Sequence, residues 1–200
     1  MILYLVRHGE TDWNHALRFQ GREDIPLNET GAAQALACGQ ALRAAGLRAV
    51  YTSPLQRAFV TGQILAQQAG LPLTAVRALP ALIERDLGPY SGRSFSDRGT
   101  FFSLAGGETP GMEPFETVRR RMRAALAEIA ASGLPAAAAV SHGAAINVLL
   151  ADLTDGAQGT GKTKLWNGGI TVLAGGAEGF RLAACNLTPA EFEARAAEFG

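Results

Sequence analysis

Five apolar positions in a row, 2–6, run without polar relief into Arg7-His8-Gly9. Branched and aromatic side chains in an unbroken run of that length predict a strand covered on both faces, as in parallel sheets packed between helices. A second run, 136–141, ends in the same way at His142-Gly143 and passes into an apolar helical pattern from Ala144 to Leu150. Its four alanines favour helix by propensity, but Gly133 and Pro135 break the preceding helix and the His-Gly end needs a strand leading into it.

The pattern between and beyond these runs alternates. Asn28 is a natural N-cap for a helix with Ala32, Ala35, Leu36, Gly39 and Leu42 on one stripe, ending near Gly46. A short strand at 49–52 meets Ser53-Pro54-Leu55-Gln56, which carries a serine N-cap, proline at N1 and glutamine at N3. A helix is expected to begin there, with Arg57 at the end of its first turn. An edge strand is expected at 71–76, weakened by Pro72. A strong helix at 113–132 has Phe115, Val118, Met122, Ala125, Leu126 and Ile129 on one stripe, and its Arg119, Arg120, Arg121 and Arg123 read as a solvated face with one residue leaning elsewhere. Strands at 164–166 and 170–173 flank Asn167-Gly168-Gly169, and 180–185 pairs with the latter across a turn at 175–179. The last helix follows Thr188, with Pro189 at N1, Glu191 at N3 and Leu187 stapled to Phe192.

Strands alternating with helices predict a three-layer α/β/α sandwich with a mainly parallel central sheet. The 200 residues suit one domain spanning 1–200. Two stretches lack periodicity: a polar loop at 10–26, and a Gly- and Ser-rich excursion at about 89–111 that is expected to cross over the site.

Charge and cysteine content narrow the partners. Eighteen basic and eighteen acidic residues give a net charge of zero, so no electrostatic reason exists to expect nucleic acid or a membrane surface. Cys38 and Cys185, far apart in sequence, read as thiols of a reduced compartment. No window is long and apolar enough for a membrane span, and the first apolar run is too short for a signal core. A soluble cytoplasmic protein is the expectation; the oligomeric state has no signature in the sequence.

In open α/β sheets ligands sit beyond the carboxyl ends of the strands. Arg7 and His8, Arg57, and His142 all fall just past such ends, on separate strand-to-helix units, and Glu84 is the fifth member of the set, in the stretch from Leu82 to Gly88. Singly each has a plain structural reading, a satisfied buried histidine or a solvated charge. Together, two arginines and two imidazoles around one point make a pocket for a tetrahedral dianion. A competing pattern, Gly156 to Thr163, matches the P-loop expression at every position. It lacks the strand before and the helix after that the phosphate cradle requires, so it reads as a glycine-rich surface loop.

The ordered set Arg7-His8-Gly9-Glu10-Thr11, Trp13-Asn14, Gln20-Gly21, Leu27, Gly31, Thr52-Ser53-Pro54-Leu55, Arg57-Ala58, Thr61, Glu84-Arg85, Gly88, Gly92 and Ser141-His142-Gly143 resembles the histidine phosphatase superfamily. That group includes cofactor-dependent phosphoglycerate mutases and small phosphatases such as the alpha-ribazole phosphatases. The resemblance implies a phosphoglycerate mutase-like fold and a phosphatase acting on a small phosphorylated metabolite, with no cofactor and no metal. It implies His8 as nucleophile, Arg7, Arg57 and His142 as clamps on the phosphoryl oxygens, and Glu84 as general acid and base. Asn14, Gln20, Gly21 and Gly143 are implied as substrate-binding positions, while His15 matches no motif position. Mutases of the family carry a tyrosine three residues after the acid and then basic residues; here Leu87 stands at that position and Asp86 is acidic, which favours hydrolysis. Asn147 and Ala144 replace a frequent arginine and glycine, which bears on substrate fit. The alternatives are mutase-type phosphoryl transfer and a non-catalytic phosphate-binding regulatory module.

Overall fold

A computed structural model describes residues 1–97 and 109–199. Six strands form one sheet: β1 (Ile2–Arg7), β2 (Val50–Thr52), β3 (Val76–Ala78), β4 (Ala136–Ser141), β5 (Ile170–Gly176) and β6 (Gly179–Leu187). Their spatial order is β3-β2-β4-β1-β5-β6. β1, β2, β3 and β4 pair in parallel, and the β5–β6 hairpin joins the edge of β1 antiparallel. The sheet is therefore mixed and mainly parallel.

Alternate side chains of each strand feed two apolar layers. Leu3 and Leu5 of β1, with Ala137 and Ala139 of β4, face helices α4 (Phe115–Ala131) and α5 (Gly143–Leu153). Tyr4 and Val6, with Ala138 and Val140, face α2 (Glu29–Ala41), α3 (Gln56–Gln68) and α6 (Pro189–Arg195). The polyalanine of β4 is small because the strand sits centrally, covered by helices on both sides, with all six residues buried. Tertiary packing overrides its helix propensity.

Several local expectations shift. The polar loop after β1 contains a short helix, α1 (Asp12–His15), capped by Thr11 and closed by Asn14 in a capping box. α3 begins at Gln56, three residues after the Ser53 cap signal; Ser53 Oγ accepts from Leu55 N at 3.3 Å rather than from the helix, and Leu55 remains extended. The cap comes from elsewhere in the chain: Asp24 accepts from Gln56 N at 2.7 Å and from its side-chain amide at 3.2 Å. Arg57 thus belongs to the first turn rather than its end. The edge strand expected at 71–76 is a 3₁₀ turn, Leu73–Ala75, followed by the three residues of β3, because Pro72 has no N–H to donate. No strand forms at 164–166. Asn186 takes the partner's place, donating to Lys164 O at 2.9 Å and accepting from Trp166 N at 2.8 Å. The last hairpin is longer than expected, with Gly176 opposite Gly179. Of the excursion at 89–111, residues 98–108 lie outside the described residues; before them, Arg18 bridges to Ser94.

Candidate active site

The register Arg7↔Ser141 between β1 and β4 brings His8 and His142 out of the sheet side by side. Their ring centroids are 5.0 Å apart. His8 N donates to Ser141 O at 3.0 Å, so the sheet itself fixes the nearer backbone.

Gly9 carries the chain away through a gap with no room for a side chain. A Cβ there would lie 2.2 Å from Gly31 O, and one on Gly31 would lie 2.0 Å from Glu10 O. The loop and the first turn of α2 are locked backbone to backbone. Gly9 N also donates to Thr61 Oγ1 at 3.1 Å, and that hydroxyl donates to Arg57 O at 2.6 Å, tying the loop to α3.

His8 Nδ1 lies 2.6 Å from the Gly9 carbonyl. A carbonyl only accepts, so Nδ1 carries the proton and Nε2 keeps its lone pair. Burial, then the charges of Arg57 and Arg7, hold this imidazole well below its usual range, against a smaller pull from the Gly9 carbonyl. His8 is neutral at physiological pH. His142 is held low in the same way, by burial first and then by Arg57, His8, Arg7 and Arg121.

Arg57 is 1% exposed. Its two terminal nitrogens donate to Glu23 O at 2.6 Å and Gly21 O at 2.8 Å, which Gly21 presents from a left-handed turn with φ of 54°. Burial lowers its pKa to about 10, with Glu84 and Asp24 opposing, so it remains a cation at neutral pH. Arg7 donates to Leu165 O at 2.7 Å, and burial likewise lowers its pKa. Among the described residues, Arg7 Nε, Arg57 Nε and both nitrogens of His142 are buried with no hydrogen-bond partner. The two arginine Nε–H groups and the single N–H of the neutral His142 ring are buried donors, which cost free energy unless something accepts from them. An anion is the group that would.

Glu84 stands on the irregular segment after the 3₁₀ turn Pro80–Leu82. Its oxygens accept from Arg85 N at 2.8 Å, Ala145 N at 2.9 Å and Ala144 N at 3.2 Å, so the carboxylate lies on the first turn of α5 beside His142. Its charge reaches both Arg7 and Arg57.

Asn14 Oδ1 accepts from Thr11 N, Thr11 Oγ1 and Asn167 Nδ2. Gln20 is buried with its Oε1 unpartnered, and Gly143 begins α5 with Arg7 Nε 3.5 Å from where its Cβ would be. Gly21 serves Arg57 through its carbonyl. Asn167, expected only as part of the break between two strands, donates to His8 O at 3.0 Å, and Gly168 N donates to Arg7 O at 2.9 Å. His15 is exposed, 4.0 Å from Glu10. The P-loop-like segment follows α5 in a series of turns and is occupied with itself: Lys162 Nζ donates to Gly156 O at 2.5 Å, and Thr163 Oγ1 accepts from Gly159 N at 2.9 Å. Among the described residues no group of three His, Cys, Asp or Glu converges as metal ligands, and no helix is long and apolar enough to cross a membrane.

Residues 3–188 match the family model of the histidine phosphatase superfamily (branch 1). The chain is 33% identical over 184 residues to "Uncharacterized phosphatase PhoE" of Bacillus subtilis, covering 92% of this chain and 93% of that protein. It is 36% identical over 163 residues to "Probable phosphoglycerate mutase GpmB" of Klebsiella pneumoniae, covering 76% and 74%. Among solved structures it is similar to a mycobacterial glucosyl-3-phosphoglycerate phosphatase complexed with VO3, with a TM-score of 0.78, 28% identity and coverage of 92% and 98%.

Proposed function

The chain belongs to the histidine phosphatase superfamily, and from that premise we propose that it hydrolyses a small phosphate monoester through a phosphohistidine on His8. One observation carries the reading: a neutral His8 with Nε2 free, facing buried and unpartnered donors of Arg7, Arg57 and His142. Nucleophile and anion clamp occupy one point.

His8 Nε2 attacks phosphorus, the P–O bond to the leaving group breaks, and Glu84 in its protonated form gives its proton to the departing oxygen. Water then attacks the phosphohistidine, handing a proton back to the Glu84 carboxylate as the N–P bond breaks and inorganic phosphate leaves. The arginines balance the charge on the equatorial oxygens and neutral His142 donates a hydrogen bond to one of them, and positioning with electrostatics supplies most of the acceleration in such transfers. Asn14, Gln20 and Gly143 complete the rim in this reading. We read residues 1–200 as one catalytic domain working in the cytoplasm, a reading supported by Cys38 and Cys185 being free thiols.

Hydrolysis is preferred over mutase transfer because Leu87 stands where mutases of the family carry a tyrosine and the neighbouring Asp86 is acidic rather than basic. Leu87 is buried against Met112, and Asp86 faces Arg22 at 3.7 Å. The test is phosphate release from a panel of alkyl and aryl phosphate monoesters in the presence of EDTA, wild type against His8→Ala. Release by wild type alone, with ³²P retained on acid-labile, base-stable protein during turnover, is the expected result. Activity surviving in His8→Ala would refute the proposal; silence of wild type toward the panel with turnover in a phosphoglycerate mutase assay would replace it with the mutase reading.

A further inference from the structure

Glu84 lies in a stretch with no strand or helix to hold it, from Ile83 to Leu87. Nearly every main-chain group around it is instead bound by a side chain or by the residues leading into α4. Arg121 of α4 donates through one terminal nitrogen to Ala81 O at 2.9 Å and also to Ile83 O. Ser141 Oγ donates to Leu82 O at 2.7 Å, and Arg22 Nε to Glu84 O at 3.3 Å. Glu113 accepts from Asp86 N at 3.1 Å, its carbonyl accepts from Arg85 Nε at 2.7 Å, and its N–H donates to Asp86 O at 2.8 Å. The two organisers grip each other: Arg121 Nε and its second terminal nitrogen meet the two oxygens of Glu113 at 2.9 and 3.0 Å.

This pair is shielded, with side chains 15% and 7% exposed, and its fork-to-fork geometry fixes orientation as well as distance. Burial pushes the Glu113 carboxyl up, but hydrogen bonds from Arg121 and from Asp86 N–H, with the charges of Arg121 and Arg22, hold it below its usual range. The carboxylate therefore stays charged through the neutral range.

We propose that the Arg121–Glu113 pair is a positioning device for Glu84, fixing the 81–86 backbone from behind so that the carboxyl meets the leaving-group oxygen. Neither residue touches the reacting atoms. The proposal rests on the general-acid role assigned to Glu84 above, and its test separates the two.

kcat/KM, which reports steps up to the first departure of the leaving group, is measured for 2-glycerophosphate and for 4-nitrophenyl phosphate. A good leaving group needs little help from an acid. Arg121→Met is expected to lower kcat/KM for the alkyl ester about 10- to 100-fold, the range expected when an acid is misplaced by about 1 Å, and for the aryl ester less than about 3-fold. Glu113→Gln should give the same pattern more weakly and serves if Arg121→Met does not fold. In the Glu84→Gln background, Arg121→Met should add no further alkyl-specific loss, because the group it positions is gone. Equal losses on both esters, or losses that multiply in the double variant, would show a merely structural pair and overturn the proposal. If Glu84→Gln alone lacks the alkyl-over-aryl pattern, the acid assignment falls and the proposal falls with it. If Glu84→Gln shows the pattern and Arg121→Met does not, only the positioning role is refuted.

Discussion

Lowering the pH from 7 to 5 loads the unfolded chain with protons that the folded chain refuses. His8 and His142 are 3% and 0% exposed, and burial followed by the nearby arginine charges holds both well below the usual imidazole value. Unfolded, each titrates near about 6.5. A histidine depressed in the folded state leaves stability flat above that value; below it the unfolded state binds more protons, and stability falls until the folded pKa is passed. Each proton contributes about 1.4 kcal/mol per pH unit in that window, so two imidazoles remove about 4 kcal/mol between pH 7 and pH 5. That is a large share of a typical domain stability of about 5–15 kcal/mol.

Urea unfolding followed by circular dichroism, in phosphate-free buffer at half-unit steps from pH 8 to pH 5, measures the effect. The midpoint should stay level to about pH 7 and then fall with an unchanged m-value. His142→Gln should halve the slope, since one refused proton is removed. The depressed carboxyl of Glu113 acts in the same direction but at lower pH, below its unfolded value near about 4.3, so it does not counterfeit the signal. A midpoint unchanged from pH 7 to pH 5 in wild type would mean that the imidazoles are hydrated or paired, and the neutral-nucleophile reading of His8 would lose its basis.

Three further outcomes follow from the geometry. Orthovanadate, a tetrahedral oxyanion, should raise the wild-type melting temperature, by an amount equivalent to about 2.7 kcal/mol at 100 times Kd, and Arg57→Ala should lose most of that shift; equal stabilisation of both in thermal melts would remove Arg57 from the anion clamp. Gly31→Ala places a Cβ 2.0 Å from Glu10 O, so it should cost about 1–3 kcal/mol in urea melts and lower turnover about 100-fold by displacing the loop behind His8, whereas Gly176→Ala, which meets nothing within 4 Å, should match wild type. Lys162→Ala should leave phosphate release unchanged, because that amine is spent on Gly156 O; loss of activity would reinstate the P-loop reading.

What the sequence disclosed divides along a physical line. His8 and His142 were legible because each ends a strand whose apolar run announces it, and parallel pairing then leaves only one relative placement once the register is set. Arg57 was legible to within a turn: a Ser-Pro-x-Gln signal marked the helix, but the true cap, Asp24, comes from 32 residues away and leaves no local trace. Asn167 was read as a turn residue and Asn186 carried no reading, because their partners, His8 O and the 164–166 backbone, are fixed only by the tertiary fold.

Arg121 is the instructive case, since a signal did exist. On α4 it stands three residues after Val118 and four before Ala125, so the helical period places it with the buried stripe, unlike Arg119, Arg120 and Arg123, which are exposed. An arginine in phase with a core stripe has to be paired, and the partner must be acidic and close. Glu113, just ahead of the helix and 7% exposed in its side chain, is that partner. His8 needed no such device, because backbone bonds to Gly169 and Ser141 hold Arg7 and His8 in place. The segment that carries Glu84 has no strand pairing, and side chains of Arg121, Ser141, Arg22 and Glu113 bind much of its backbone instead. A site residue at a strand end is thus specified by periodicity, whereas one on irregular backbone is specified by whichever distant charges are buried for it, and out-of-place buried charges are the signal to look for.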